Sequence, residues 1–239
     1  MTRPGQRPEP GALRLLLVGY GRMGTLVEKL APDYGFDVVG HLDDTNNIDG
    51  AGIPSAPAAD VAVEFSIPSA VAANLPRLAA RKMNVVIGTT GWHEHEAEMK
   101  KVAADAGIGV VAASNFSLGV ALFQSLAEQA AKMFAPYPQY GAWIHEIHHS
   151  AKKDAPSGTA VTLQQGMKGA GYTHVIDMAS NRAGSVPGTH TIGFDGPFET
   201  ITMTHTNRDR AAFAQGALQA AKWVHGRRGW FTIRDVLGL

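Results

Sequence analysis

The chain of 239 residues contains no cysteine. That excludes disulfides and thiolate metal sites, and it goes with a reducing, cytoplasmic setting. An excess of charge is lacking too, because 21 Lys and Arg balance 21 Asp and Glu. No global basic field is then available to gather nucleic acid or an acidic membrane surface. No apolar run approaches the ~20 residues of a membrane span. Residues 1–10, MTRPGQRPEP, lack the apolar segment of a signal peptide and read as a disordered tail. The composition is 45% hydrophobic, enough for a packed core in one large domain or two modest ones.

Within that frame the first half alternates. Residues 13–18, 37–42, 61–65, 85–87 and 109–113 are short apolar, β-branched runs, and 22–31, 69–81 and 94–106 between them have helical character. Strand–helix alternation with apolar strands implies an α/β fold with a doubly wound parallel sheet of Rossmann type. After Phe116 the style changes. Residues 118–134 predict a long helix with Leu122, Leu126, Ala130 and Phe134 along one face. Residues 142–149, 189–194 and 199–206 predict strands, the last two joined by the turn residues Asp195, Gly196 and Pro197. A helix over 208–225 follows. The expected organisation is a first domain of 11–117 and a second, smaller α+β domain of 118–207 with antiparallel pairing.

Gly19-Tyr20-Gly21-Arg22-Met23-Gly24 is a G-x-G-x-x-G that follows a strand and opens a helix, and Asp43 ends the next strand 19 residues after Gly24. This is the context a dinucleotide fingerprint requires. Gly19 and Gly21 would let the backbone approach a pyrophosphate, Gly24 would let the helix pack, and Asp43 would accept from ribose hydroxyls. A glycine turn in a nucleotide-free fold is the alternative. Gly88-Thr89-Thr90-Gly91 and Ala113-Ser114-Asn115-Phe116 fall where further strands end, the usual ligand-binding edge of such sheets. They also read as plain small-residue turns.

The densest chemistry lies in Glu146-Ile-His-His-Ser-Ala-Lys-Lys-Asp-Ala-Pro-Ser-Gly-Thr-Ala160. Imidazole passes protons near neutral pH, lysine carries a point charge, and a Ser-Gly-Thr helix start offers N–H groups to an anion. His145-Glu146-Ile147-His148-His149 also spells the H-E-x-x-H zinc signature, which works only on a helix. Residues 140–147 alternate like a strand, where His145 and His149 would stand about 13 Å apart, too far for one ion. No metal is expected. The cluster reads either as surface histidines or as donors converging on a small anion that must be protonated.

The chain resembles the 4-hydroxy-tetrahydrodipicolinate reductase (dihydrodipicolinate reductase) family, in a short form. The resemblance rests on E-x-H-H-x-x-K-x-D-A-P-S-G-T-A at 146–160, V-G-Y-G-R-M-G at 18–24, I-G-T-T-G at 87–91, S-N-F-S at 114–117 and R-D-V-L at 234–237. It implies reduction of a cyclic dicarboxylate by NAD(P)H in diaminopimelate and lysine synthesis. It further implies His148 as proton donor, Lys152 as catalytic lysine, and His149, Ser157, Gly158 and Thr159 as substrate contacts. The cofactor contacts it implies are Val18, Gly19, Tyr20, Gly21, Arg22, Met23, Asp43, Gly88, Thr89, Thr90, Ala113, Ser114, Asn115 and Phe116. A first domain of 11–117 plus 208–239, joined by resemblance rather than by pattern, and a homotetramer are implied as well. Asp44, following Asp43, adds negative charge where a 2′-phosphate would sit, so NADH is the expected preference with NADPH possible. Another Rossmann-fold dehydrogenase would keep Gly19–Gly24 but has no reason for the Lys152–Thr159 segment; a non-catalytic nucleotide sensor would keep the fold and bind cofactor without turnover.

Overall fold

A computed structural model describes residues 11–239, so the tail expected over 1–10 lies outside the described residues. The elements are β1 (Leu13–Val18), α1 (Arg22–Leu30), β2 (Phe36–Leu42), β3 (Val61–Glu64), α2 (Pro68–Ala80), β4 (Asn84–Ile87), α3 (Glu96–Ala106) and β5 (Gly109–Ala112). They continue with α4 (Leu118–Phe134), β6 (Gly141–His148), α5 (Gly158–Gly169), β7 (Ile176–Arg182), β8 (Thr189–Asp195), β9 (Thr200–Thr206), α6 (Ala211–Val224), β10 (Gly229–Phe231) and α7 (Ile233–Leu237). The chain divides into two compact units. One runs from the start of the described residues to Leu118 and includes Arg210–Leu239; the other is Gly119–Asp209.

The first unit is built on a six-stranded parallel sheet in the order β10-β5-β4-β3-β1-β2. Its central strands β3 and β4 are buried along their whole length, as is β1 from Leu15 onward. This explains their largely apolar sequences, Glu64 at the end of β3 and Asn84 at the start of β4 excepted, since both faces of a parallel sheet are covered. Val18, Glu64 and Ile87 stand side by side in register. The loops that begin at Gly19, Phe65 and Gly88 therefore leave from one edge, at the carboxyl ends of adjacent strands. Strand β10, too short to carry a recognisable pattern, is three residues long and pairs in parallel with β5.

The second unit has a four-stranded sheet in the order β7-β6-β8-β9. Pairing is antiparallel between β6 and β8 and between β8 and β9, but β7 runs parallel to β6. This corrects the expectation of antiparallel pairing throughout. Strand β7 was hidden because its half-buried positions Met178, Ser180 and Arg182 are mostly polar. In α4, Leu122 and Leu126 are 47% and 53% exposed, and the residues buried in the core are Phe123, Ala127 and Ala131. They join one apolar cluster with Ile144, Leu163, Ile192 and Phe194.

Candidate functional site

In the first unit the turn after β1 is shaped by close approach. Gly19 has φ +94°, and a Cβ there would lie 2.3 Å from the Phe65 carbonyl oxygen. A Cβ at Gly24 would lie 2.5 Å from Gly19 O, so this glycine seats α1 on its own turn. Gly21 differs, because a Cβ there would meet nothing within 4 Å. No protein contact demands glycine at that position, and the open space suits a ligand that approaches the backbone. Tyr20 stacks on His41 at 4.1 Å between ring centroids, and its hydroxyl bonds the Glu28 carboxylate.

Gly19, Tyr20, Gly21, Asp43 and Asp44 line a cleft of ≈ 500 Å3 together with Ser66 and Asn74. Asp43 is held below the usual carboxylate range, first by the Thr45 hydroxyl and then by backbone N–H groups. Its Oδ1 accepts from Thr45 Oγ1 at 2.6 Å and from Thr45 N at 2.9 Å. Such an ionised, oriented acceptor fits a ribose diol. Thr89, Thr90, Ala113 and Ser114 line a smaller hollow of ≈ 80 Å3. Gly88 is covered by the Phe65 ring, which meets Phe116 edge-on at 6.3 Å. The Asn115 side chain accepts from Ser117 N at 2.8 Å and shapes that turn. Val18 places its side chain in the core, Met23 is half-buried, and Arg22 lines a separate hollow with Thr25, Leu26 and Arg210.

In the second unit β6 puts Glu146 and His148 on the buried face and His145 on the other. The H-E-x-x-H therefore sits on a strand. Glu146 is fully buried. It accepts from Arg182 Nη2 at 2.8 Å, Arg182 Nη1 at 3.0 Å and Ser157 N at 3.3 Å, and His148 Nδ1 bonds its Oε2. Burial would raise the Glu146 carboxyl, but hydrogen bonds from Arg182, Ser180 and His148 outweigh it and hold the group at about 2. With Nδ1 committed to Glu146, His148 keeps Nε2 for chemistry. Gly188, at φ +142°, lies against that nitrogen, and a Cβ there would come within 3.0 Å of it. Burial lowers the His148 pKa; Glu146 opposes this, while the charges of Lys152 and Arg182 reinforce it.

Lys152 Nζ bonds Asp154 at 2.7 Å rather than His148, so its influence on the imidazole is through charge. Asp154 is held below the usual carboxylate range by Lys152 first and also by the Gly158 N–H. Helix α5 begins with Ser157 as cap, its hydroxyl accepting from Ala160 N at 3.3 Å. That hydroxyl is also 3.0 Å from His190 Nε2. Burial, then the neighbouring His148, pushes His190 down to about 4, so it is neutral at pH 7. His149 and Thr159 are half-buried near these groups in the chain.

The sequence reading missed Glu146, Arg182, Gly188 and His190 as site residues. The first was legible, since β6 alternation puts positions 146 and 148 on one face. Arg182 arrives through the unforeseen β7, with His148 and Arg182 directly paired in register. Glu146, His148 and His190 offer ligand atoms within 4.8 Å of one another, a grouping that could hold a metal ion. Arg182 already places a cation against both Glu146 oxygens, so a second cation there is disfavoured. The trio is best read as a hydrogen-bond network.

Residues 13–116 match the family profile described as dihydrodipicolinate reductase, N-terminus, and 119–237 match the C-terminus of the same family. The chain belongs to the dihydrodipicolinate reductase family. It is 36% identical over 236 residues to the 4-hydroxy-tetrahydrodipicolinate reductase of Christiangramia forsetii, covering 94% of this chain and 98% of that one. Identity to the enzyme of the same name from Stenotrophomonas maltophilia (strain R551-3) is 39% over 240 residues, with the same coverage. The short form is therefore shared with these dihydrodipicolinate reductases. A dipicolinate-bound dihydrodipicolinate reductase from Paenisporosarcina sp. TG-14 has the same fold, with a TM-score of 0.77 and 23% identity over 92% of this chain and 97% of that one.

Proposed function

We infer that this protein reduces 4-hydroxy-tetrahydrodipicolinate to tetrahydrodipicolinate with a reduced nicotinamide dinucleotide, in the route to diaminopimelate and lysine. The observation that carries the reading is the anchored His148 beside Lys152 and the start of α5, in a chain of this family. The cofactor, when bound along Gly19–Gly21 and Asp43, supplies a hydride. Water leaves the substrate, and hydride addition at C4 of the conjugated ring leaves negative charge that a proton must quench at the adjacent carbon. His148 Nε2 donates that proton. Glu146 and Arg182 fix the ring and its tautomer. Lys152, with the N–H groups of Gly158 and Thr159, receives the substrate carboxylates. Coupled to a synthase that condenses pyruvate with aspartate semialdehyde, the protein should oxidise NADH. A folded, NADH-binding sample that oxidises none would instead mark a nucleotide sensor.

The substrate also sets the protonation of its own acid. A dianion beside His148 offsets the cationic charge of Lys152 and Arg182 and raises the imidazole pKa. Pyridine-2,6-dicarboxylate should therefore bind with proton uptake, and its inhibition constant should rise as pH climbs through the pKa of His148 in the complex. His148→Gln should flatten that dependence. A wild-type inhibition constant indifferent to pH from 5.5 to about 8.5 would contradict the arrangement.

NADH is the proposed preference, with residual NADPH use. Asp43, Asp44 and Asp49 line the cleft and, among the described residues, no Lys or Arg does. A 2′-phosphate would meet only like charge there. Asp44→Arg should shift the kcat/KM ratio toward NADPH by about tenfold, and added salt should blunt the wild-type discrimination. A wild type that favours NADPH would refute this. A cytoplasmic homotetramer is proposed as well. Its supports are the cysteine-free composition, an outer sheet surface bearing half-buried Trp143 and exposed Thr202 and Thr204, and Phe198 at 99% exposure in the loop between β8 and β9.

A further inference from the structure

Strand β3 ends in a carboxylate that the chemistry above does not use. Glu64 is 1% exposed and, among the described residues, has no Lys, Arg or His as an ion-pair partner. Its Oε1 gathers two donors, the Ser66 hydroxyl and Asn74 Nδ2, the latter at 3.3 Å. Its Oε2 is buried without a hydrogen bond, and so is Oγ1 of Thr89 on the neighbouring loop. Two buried oxygens without partners, at the end of β3 and on the loop after β4, are costly, and a proton shared between them, from a neutral Glu64 or from the Thr89 hydroxyl itself, would relieve both. The network continues outward. Asn74 Oδ1 accepts from Asn47 Nδ2 at 3.0 Å, and Asn47 Oδ1 accepts from Gly52 N at 3.1 Å. It thus runs from the Thr89 loop, under Ser66 and Asn74 in the cleft wall, to the loop that follows Asp43.

We propose that Glu64 is a positioning residue for the dinucleotide: a neutral carboxylic acid whose O–H donates to Thr89 Oγ1 and whose other oxygen gathers Ser66 and Asn74, so that the loops of the cofactor cleft are held as one. Burial raises this carboxyl above the usual range, outweighing the hydrogen bonds of Ser66 and Asn74. A neutral acid suits the place for a further reason. A buried anion here would add negative charge behind Ser66 and Asn74 in the wall of a cleft that Asp43, Asp44 and Asp49 already line. The proposal rests on reading this cleft as the dinucleotide site.

The test is NADH binding and steady-state kinetics on the full-length protein, with Glu64→Leu and Glu64→Gln beside the wild type. Leu removes every polar contact, and NADH affinity should fall about tenfold or more while kcat at saturating NADH and the KM for the dicarboxylate change less than about threefold. Gln presents one donor and one acceptor as a neutral acid does, and should restore NADH affinity to within about threefold of wild type. The infrared spectrum near neutral pH should carry a protonated-carboxyl C=O band that Glu64→Gln loses. If Glu64→Leu does not fold, Thr89→Val removes the acceptor alone and should weaken NADH severalfold. Glutamine as damaging as leucine, or no protonated-carboxyl band, would overturn the neutral acid. Wild-type affinity in Glu64→Leu would overturn the positioning role. A wild type that binds no NADH would overturn the site reading itself, and with it the proposal; the other failures leave that reading standing.

Discussion

His148→Gln is expected to lower kcat by about a hundredfold or more and to leave NADH affinity unchanged. Glutamine can still bond Glu146 and fill the space, so the loss would report the missing proton donor rather than a collapsed site. The cofactor cleft lies in the other compact unit, with its own core, which is why NADH binding should be spared. Stopped-flow with pre-bound NADH separates the two readouts. Normal turnover in the variant would remove His148 from the chemistry, and a fall confined to NADH affinity would move it to the cofactor site.

Arg182→Met is expected to cost about 3 kcal/mol or more of folding stability, measured by urea unfolding at pH 7. The variant strips the cation from a fully buried carboxylate and leaves the desolvation in place. The sign of the pH dependence follows. Glu146 titrates in the folded protein at about 2, below its ordinary 4.5. Its contribution, about 3 kcal/mol for that difference, is complete above the ordinary value and is lost as pH falls through the folded one. Without Arg182 burial dominates, the folded pKa rises, and acid unfolding should begin at higher pH. A loss under about 1 kcal/mol with an unmoved acid midpoint would show that Arg182 is a surface ion pair in effect.

How much of this was legible differs element by element, for physical reasons. The parallel sheet was readable because strands covered on both faces must be largely apolar, as Leu15–Val18 and residues 85–87 are. The glycine turn was readable because a positive φ beside the Phe65 backbone leaves no other choice at Gly19. Strand β7 was not, because Ser180 and Arg182 occupy positions where a pattern search expects apolar residues. Those residues serve Glu146, and a function-bearing strand loses the alternation that would reveal it. For α4 the sequence placed Leu122 and Leu126 on one face without saying what covers them, and it is Phe123, Ala127 and Ala131 that join the core with Ile192 and Phe194. Glu64 left a clue in Val-Ala-Val-Glu-Phe-Ser, an acid closing a buried strand, but its partners lie on other loops.

Asp154 gives the substrate site a property of its own. Its carboxylate already sits on Lys152 Nζ and is drawn toward the Gly158 N–H, the donors assigned to the substrate. The chain thus carries a tethered antagonist, two residues from the lysine, at an effective concentration on the order of millimolar or above. A monocarboxylate that displaces it exchanges one anion for another and gains nothing. A ring with two carboxylates makes the same exchange but keeps a second anchor, and so wins. On the proposed function, acetate and other small acids would thereby be disfavoured at the lysine, and removing the tether by Asp154→Ala should give tighter, less discriminating anion binding.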